Sequence, residues 1–410
     1  MTLDPNRPSN SLSHRITALM PLLALAALCA VPANAQIAVI GDSPANGIFD
    51  PSVEYAPGNG EGWLAYSAVF GGGGGGVPWG PIVETHLART TDGGASWTFE
   101  TVVNASFAGQ VDVQGEGLVD GYWNYETPSI VYDPGDTGAE WKIFTHRIFR
   151  RTTGTHETLP PYSWISMKTA PHPSGPWSAE IGLFESSVLP FAPWNAFPTV
   201  NVSALDPALS SYILYSEPGA FAKDGTLYVS LAAITNAPAA IVVIASDDHG
   251  ATWRYVGTAL DPSDATSLGY VRFDGSALAE DDGRVFLMVT PETASVIHDG
   301  TLVFEFADLT TASLVRSSGT PVIHLNIPAQ PGLPVDRRGG QADYHEGNTA
   351  GGLLHPALRT DLLPEMFTFS STGLHLVVAP VPGIAATGGL ALLATLVGVG
   401  VRSAGKRNRA

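Results

Sequence analysis

Short runs of apolar and β-branched residues recur along the chain, and Gly, Asp and Pro separate them. Such runs are typical of antiparallel strands joined by tight turns, and no long stretch has the 3.6-residue period of an amphipathic helix. The pattern therefore predicts an all-β fold. The clearest runs are GWLAYSAVF, EWKIFTHRIF, SWISMKTA, SYILYS, TLYVSLAAI, AIVVIAS, RVFLMVT and TLVFEFADL.

A short acidic motif lies at or near the start of several strand-like segments. In each copy an acidic residue is followed by a small residue, Pro or Gly, and then by an apolar strand. The copies are separated by roughly one four-stranded propeller blade, about 40 to 50 residues plus insertions. We therefore predict a β-propeller of about five blades, with a sixth start at Phe197 as an alternative and a single large β-sandwich as the alternative fold. The five acids are Asp50, Glu126, Glu217, Asp274 and Glu346.

Two turn segments, TTDGGASW and SDDHGATW, fit the pattern Ser/Thr-x-Asp-x-Gly-x-Ser/Thr-Trp. The aspartate of such a turn can accept hydrogen bonds from its own backbone, and the glycine can adopt a positive φ. The pattern resembles the Asp-box, or BNR repeat, of sialidase-like β-propellers. The resemblance implies a structural role on outer hairpins, away from substrate, for Asp92, Gly94, Trp97, Asp248, Gly250 and Trp253.

The composition agrees with a turn-rich acidic globule. The chain has 45 Gly and 32 Pro among 410 residues, which favours many short strands. Its formal net charge is −18, and charged residues make up only 14%. Because a nucleic-acid backbone would be repelled and no basic face is evident, we expect no nucleic-acid partner.

The first 35 residues have the pattern of a secretory signal peptide. Arg15 precedes an apolar run, and the small residues Ala33 to Ala35 end the segment. We expect export through the Sec pathway and cleavage before Gln36. The single cysteine, Cys29, lies inside this segment, so a mature domain spanning residues 36–375 would contain no disulfide.

The C-terminal residues have the pattern of a membrane anchor. A short linker with a Pro motif (376–383) precedes about eighteen uncharged residues at 384–401, and the tail 402–410 is basic. We expect a transmembrane or sorting helix with a cytoplasmic tail, a buried core helix being the alternative. The segment resembles the PEP-CTERM sorting signals of Gram-negative bacteria, which implies processing by an exosortase-type peptidase and a location in the cell envelope or at the cell surface.

The repeated acids are the candidate catalytic residues. The inner strands of a propeller converge, and clustered carboxylates repel, so one is expected to hold a proton while a neighbour stays ionised. Glycoside hydrolysis requires that division of labour. The layout resembles the five-bladed furanosidase and arabinanase propellers, which implies Asp50 as base and Glu217 as acid, with Glu126 or Asp274 tuning or positioning them. The separation of the carboxylates, and so the stereochemical outcome, stays open.

A binding propeller without turnover is the alternative function, with a carbohydrate, an envelope glycan or a protein of the envelope as partner. Candidate substrate-binding residues are Arg147, Arg272, Trp123 and His345, and the two arginines equally suit solvated or salt-bridged strand positions without a function. A true sialidase is disfavoured because that family uses an early arginine of a three-arginine clamp, whereas the first arginine of the mature chain, Arg89, adjoins a turn motif.

The sequence identifies no cofactor. His146 and His345 lie near acidic starts and can contribute to a metal site, since imidazole and carboxylate are good ligands. Calcium held by the loop Asp281–Gly283 is a second candidate, although these acids also suit an ordinary turn. The metal content therefore stays open, and we expect a monomer.

Overall fold

The computed structural model describes residues 35–58, 60–70, 82–113, 115–151, 158–185, 200–234, 239–294, 298–329, 335–336, 340–359 and 366–377. The predicted signal peptide up to residue 34, the sixth start at Phe197, the segment 384–401 and the basic tail lie outside these residues, whereas Ala35, the last residue of the predicted signal peptide, is described. Within the described ranges, no helix is long and apolar enough to cross a bilayer.

The described chain is almost entirely β-structure. One α-helix, α1, spans Pro262–Ser267, and short 3-10 helices span Val202–Ala204, Pro207–Leu209 and Leu309–Thr311. The strands are β1 (Ala35–Gln36), β2 (Val39–Ile40), β3 (Ile48–Tyr55), β4 (Gly62–Phe70), β5 (Ile82–Thr90), β6 (Trp97–Asn104), β7 (Phe107–Val113), β8 (Gly117–Tyr132), β9 (Trp141–Arg151), β10 (Thr158–Ala170), β11 (Ile181–Glu185), β12 (Val200–Asn201), β13 (Leu214–Lys223), β14 (Thr226–Ile234), β15 (Ala240–Ser246), β16 (Arg254–Leu260), β17 (Arg272–Asp281), β18 (Arg284–Glu292), β19 (Thr301–Asp308), β20 (Ser313–Leu314), β21 (Arg316–Ser317), β22 (Thr320–Pro321), β23 (Ile323–Ile327), β24 (Val335–Asp336), β25 (Leu354–Arg359) and β26 (Met366–Ser371).

Four sheets are meanders, in which strands consecutive in sequence lie side by side. They contain β3 to β6, β8 to β11, β13 to β16, and β17 to β19 with β23, and we call them blades 1 to 4. Short strands extend three of them. In blade 1, β2 pairs with β6. In blade 2, β7 pairs with β8 and β12 pairs with β11, and in blade 4, β20 pairs with β19. The first strands contact one another in the order β3, β8, β13, β17, so they share a common centre. The result is a propeller-like arrangement of four blades.

A fifth sheet joins the two ends of the described chain. Its strand order is β1-β26-β25-β24, so the N-terminal strand β1 pairs with the C-terminal strand β26. This sheet lies between blade 4 and blade 1, because one hydrophobic cluster joins Phe286 of blade 4 to Leu353, and another joins Leu64 of blade 1 to Leu354 and Phe369. The chain ends are thereby tied into the ring.

Apolar side chains fill the junctions between neighbouring blades. Strand β15 is buried along its whole length, as expected for a strand covered on both faces. Its side chains alternate between two clusters: Val242 and Ile244 face blade 2, and Ile241 and Val243 face blade 4. Burying one such side chain contributes about 1.5–3 kcal/mol, so the packed junctions hold the ring without disulfides.

The two turns with the repeated aspartate have the same hydrogen bonds. Asp92 accepts from the backbone N–H and the hydroxyl of Ser96, at 2.9 and 2.6 Å, and Asp248 accepts from those of Thr252, at 2.8 and 2.6 Å. These bonds, chiefly from the two hydroxyls, lower the pKa of each aspartate to about 2. Both turns connect the outer two strands of their blades and lie outside the central pocket.

Each of these turns also packs against the neighbouring sheet of the ring: the fifth sheet for the first turn, and blade 2 for the second. Gly94 lies against the buried Asn348, which precedes β25, and His249 contacts Asp133 of blade 2 through a 2.9 Å Nδ1–Oδ2 hydrogen bond. Trp97 is buried in the junction between blade 1 and the fifth sheet, and Trp253 in the junction between blades 2 and 3. The turns therefore brace neighbouring blades against one another.

Substituting Gly94 tests this bracing. Gly94 has a φ of +85°, and a Cβ there would lie 1.7 Å from Asn348 Oδ1, so we expect Gly94→Ala to lower the free energy of unfolding by about 2–4 kcal/mol. Gly225 is the matched control, because it has a φ of +80° and open space around its Cβ. Gly225→Ala should cost only about 1 kcal/mol. Equal losses in urea unfolding of the two variants would contradict the bracing role.

Candidate active site

A β-bulge interrupts each of the four inner strands at the acidic residue predicted from the sequence. A bulge adds residues to one strand of a pair and redirects the side chains beside it. The pairing with the following strand shifts register between Phe49 and Ser52, between Glu126 and Ser129, between Ser216 and Gly219, and between Asp274 and Ser276.

Each bulge also contains one residue in the left-handed region of backbone space. Asp50, Thr127, Glu217 and Gly275 have φ values of +48°, +47°, +53° and +58°. For residues other than glycine this conformation costs on the order of 1–3 kcal/mol and persists only where the surroundings impose it. The unfavourable geometry therefore recurs at equivalent points of three strands, and glycine occupies that point in the fourth.

The four acids Asp50, Glu126, Glu217 and Asp274 line one pocket with a volume of about 300 Å³. They come from blades 1 to 4 in order, so the structure brings together residues up to 224 positions apart (274 minus 50). The wall combines apolar, polar and charged side chains. The other lining residues are Phe49, Ser67, Val69, Val83, Thr127, Arg150, Gly275, Thr290, His298, Gly340, Gln341 and Phe367.

Asp50 is only 6% exposed and accepts two hydrogen bonds. Ser67 Oγ donates to one carboxylate oxygen at 3.1 Å, and the backbone N–H of Gln341 donates to the other at 3.3 Å. Burial, followed by the negative charge of Glu126, raises the pKa of Asp50 to about 7. Asp50 therefore changes its charge near neutral pH.

Glu126 faces two basic side chains of β9. Arg150 Nη2 lies 3.1 Å from Glu126 Oε2, and His146 Nδ1 lies 3.6 Å from Oε1. Burial alone would raise the pKa of Glu126, but Arg150 and His146 outweigh it and hold the pKa below its usual value. Glu126 therefore stays ionised at neutral pH.

The surroundings of Glu217 favour its protonated form. Burial is the largest cause, and the negative charges of Asp274, Asp50 and Glu126 add to it, so its pKa lies well above the usual value. Burial likewise raises the pKa of Asp274, against the opposing charge of Arg272. The pocket thus contains a protonated carboxylic acid and an ionised carboxylate side by side, which is the combination that general acid–base chemistry requires.

Glu346 does not join the other four acids. It is exposed and lies with the half-buried His345 in a second pocket of about 310 Å³, which borders the same inner strands further along, at Val53 and Ile130. Gln341 occupies the place that the fifth acid was expected to fill. Glu346 differs from the other four acids because it lies in a turn rather than in a strand, and His345 pairs there with Glu54 at 2.9 Å.

Arg147 and Trp123 lie in a buried cluster of blade 2 and do not line the pocket. The Arg147 guanidinium stacks on Trp123 and Trp164, 4.4 and 4.7 Å from the ring centroids, and its Nη1 donates to Glu180 at 2.6 Å. Such contacts stabilise a cation inside an aromatic shell. The geometry therefore favours the structural alternative for Arg147, a salt-bridged strand residue, over the substrate-binding one.

Replacing Arg147 separates these two roles. Because Arg147→Met would remove the charged partner of Glu180, a carboxylate that is only 13% exposed, we expect it to lower the free energy of unfolding by about 3–5 kcal/mol. Arg254→Met, which removes an exposed ion pair with Asp247, should cost less than about 1 kcal/mol. Thermal unfolding of both variants is the measurement. A stable Arg147→Met protein with weakened glycan binding would restore the substrate-binding interpretation.

Arg272 lies beside the pocket and is held by acids. Its Nε contacts Glu292 Oε2 at 2.7 Å, and its Nη2 lies 3.5 Å from Asp274.

Among the described residues, two groups place metal-ligand atoms within 4.8 Å of one another: Glu126 with His146 and Glu217, and Asp274 with Glu292 and His298. Each group already contains an acid paired with an arginine, so we assign no metal to either. Asp281 of the expected calcium loop accepts a hydrogen bond from Val377 N.

Sequence reasoning missed Arg150, His298, Ser67 and Gln341 as pocket residues. Arg150 was recoverable, because successive side chains of a strand point to opposite faces. His146 pairs with Glu126, and Arg150 lies four residues further on the same face of β9, whereas Arg147 lies on the other face. His298 and Gln341 lie outside strands, and no local signal marks them.

No family model matches the chain, and no curated protein matches it. Solved structures show remote likeness. The Hadza microbial sialidase Hz136 is 16% identical over 79% of this chain and 55% of its own, with a TM-score of 0.45. Zg3597, a family 117 glycoside hydrolase of Zobellia galactanivorans, is 14% identical over 86% and 94%, with a TM-score of 0.47. A thermostable family-43 glycoside hydrolase is 12% identical over 85% and 100%, with a TM-score of 0.44. These values identify no family, so the assignment of the site depends on its own geometry.

Proposed function

We propose that this protein is a glycoside hydrolase whose active site is the pocket of four carboxylates. The observation that supports the proposal is the pairing of opposite protonation states within one pocket: burial and neighbouring acids keep Glu217 protonated, while Arg150 and His146 keep Glu126 ionised. A carboxylic acid to protonate the leaving oxygen and a carboxylate on the other side of the sugar are what glycosidic bond cleavage needs.

In the proposed reaction, Glu217 donates its proton to the glycosidic oxygen as the bond to the anomeric carbon breaks. Asp50, in its ionised form, removes a proton from the water that attacks that carbon. Glu126 stays charged and stabilises the positive charge that develops on the sugar ring, and Asp274 helps to keep Glu217 protonated. Glu217 is re-protonated from solvent as Asp50 releases its proton, which completes the cycle.

The charges of the pocket favour a neutral sugar. Arg150 is the arginine among the described lining residues, and it already pairs with Glu126. The ionised Glu126, and Asp50 in its ionised form, would repel the carboxylate of an acidic sugar, which makes a sialidase activity unfavourable. The substrate class we propose is therefore a neutral glycan outside the cell, such as an extracellular polysaccharide.

Non-catalytic glycan binding is the second candidate, and the apolar residues around the acids favour it. Phe49, Val69, Val83 and Phe367 provide surface on which a sugar ring can pack. A binding propeller would use the carboxylates only as hydrogen-bond acceptors. It would therefore retain its ligand unchanged.

A panel of neutral and acidic polysaccharides separates these functions. We expect new reducing ends, detected by mass spectrometry, from at least one neutral glycan and none from sialosides. The variant Glu346→Gln should retain the activity, because its acid lies outside the pocket. Retention of a glycan on the protein without any cleavage across the panel would support the binding alternative and contradict hydrolysis.

We also infer that the sheet of β1, β24, β25 and β26 is a fifth blade, since it fills the gap between blades 4 and 1.

From the sequence we propose Sec export with residues 1–35 removed, and attachment to the envelope through residues 384–401. Intact mass measured on protein from membrane and secreted fractions tests both ends. Protein retained in the cytoplasm with residue 1 present would contradict the export proposal.

A further inference from the structure

One segment, residues 340–343, contacts all four meander blades. Thr290 of blade 4 donates from its hydroxyl to Gly340 O at 2.6 Å. The backbone N–H of Gln341 donates to Asp50 of blade 1 at 3.3 Å, and Asp343 accepts from Ser52 Oγ of the same blade at 2.9 Å. The segment therefore runs along the centre of the ring.

The side chain of Gln341 completes these contacts. Its Nε2 donates to Pro218 O of blade 3 at 3.1 Å and to Pro128 O of blade 2 at 3.4 Å. These prolines directly follow Glu217 and Thr127, the residues with positive φ in the two bulges. Gln341 is only 1% exposed, so both hydrogen bonds are shielded from water.

We propose that Gln341 is a positioning residue that fixes the bulges presenting Asp50, Glu126 and Glu217 to a common substrate. Each of those bulges contains an unfavourable backbone conformation that the surroundings must impose. One residue that bridges three blades sets the relative positions of the three acids. This role rests on the proposed hydrolysis, in which small displacements of the acids lower the rate.

The charged groups that share the pocket with Asp50 are Glu126, Arg150, Glu217, Asp274 and His298. None of them replaces the hydrogen bond from Gln341 N, which lowers the pKa of Asp50 against the larger effect of burial. Loss of the amide contacts with blades 2 and 3 should shift Gln341 and lengthen this hydrogen bond, while Thr290 and Ser52 still hold Gly340 and Asp343. The pKa of Asp50 should then rise further.

The test uses Gln341→Met, which has nearly the same size but cannot donate a hydrogen bond. We expect kcat to fall at least about tenfold with KM changed less than about threefold. The Asp50 carboxyl signal in a 13C NMR titration should move to a higher pKa by about half a unit or more. If Gln341→Met does not fold, Gln341→Asn, which keeps the amide but cannot reach both carbonyls, should change both readouts in the same direction.

Thr368→Val is the matched control. Thr368 is buried on β26 in the fifth sheet, and its hydroxyl has no hydrogen-bond partner among the described residues. It should leave kcat and the Asp50 titration unchanged. A folded Gln341→Met protein with the wild-type titration and kcat would overturn the positioning role. If wild-type protein cleaves no glycan, the proposed hydrolysis fails, and the NMR titration still decides whether Gln341 controls the geometry of Asp50.

Discussion

Replacing Glu217 by Gln is expected to reduce kcat/KM for a glycan substrate by about 10²–10⁴-fold, because a leaving alkoxide then departs without a proton. The introduced amide has nearly the shape of the protonated acid that burial and three neighbouring carboxylates maintain in the wild-type protein. The fold and the affinity for substrate should therefore change little. The measurement is kcat and KM on a natural glycan and on an aryl glycoside of the same sugar.

The two substrates make this prediction specific to the acid role. A nitrophenolate leaves without protonation, so Glu217→Gln should lose much less activity on the aryl glycoside than on the glycan. Glu346→Gln is the matched control, since it removes an acid from the second pocket and should leave both activities unchanged. Equal losses on both substrates would assign Glu217 to binding or to charge balance rather than to proton donation.

Much of the ring was predictable because strands and turns leave local signals. An acidic residue marks the inner strand of each of the four meander blades, and the four acids, Asp50, Glu126, Glu217 and Asp274, meet in one pocket as expected. A bulge at each of them explains why one short motif recurs, because each bulge contains a Pro or a Gly, namely Pro51, Pro128, Pro218 and Gly275.

The fifth repeat failed for a topological reason. The fifth sheet is assembled from both ends of the described part of the chain, so no single stretch of sequence contains all of its strands. The segment 340–343, which lies between β24 and β25, presents the uncharged Gln341 to the pocket where the four meander blades present acids. A search for acidic starts therefore selected Glu346, which is nearby in sequence and lies in a different pocket.

The sequence left the roles of charged residues open where those roles depend on partners distant in sequence. Arg147 resembles a substrate-binding arginine until its aromatic neighbours and Glu180 are known. Likewise the protonation state of Asp50 follows from burial and from Glu126, which lies on another blade. The sequence predicts which residues meet, but their roles depend on how deeply each is buried and which charge it faces.

Asp50→Asn is expected to reduce glycan hydrolysis by about 10²–10⁴-fold and to stabilise the protein above pH 7. Only the ionised carboxylate accepts a proton from water, and the pKa of Asp50 is raised to about 7. In the wild-type protein, kcat/KM should therefore fall about tenfold per pH unit below about pH 6 and level off above about pH 8. The residual kcat/KM of Asp50→Asn should not show this fall at low pH.

The stability effect follows from the same shift. A carboxyl group whose pKa is raised on folding contributes stability below its unfolded pKa of about 4 and loses it as the pH rises through about 7. Because an asparagine side chain carries no charge at any pH, Asp50→Asn should exceed the wild type by about 1–3 kcal/mol in free energy of unfolding at pH 8, with little advantage at pH 4. Urea unfolding at the two pH values measures this difference. Equal free energies of unfolding of the wild type and Asp50→Asn at pH 8 would show that another group of the pocket titrates near pH 7. The same conclusion would follow if kcat/KM of the variant still fell at low pH. The opposite changes in activity and stability arise because the fold buries the charge that the reaction requires.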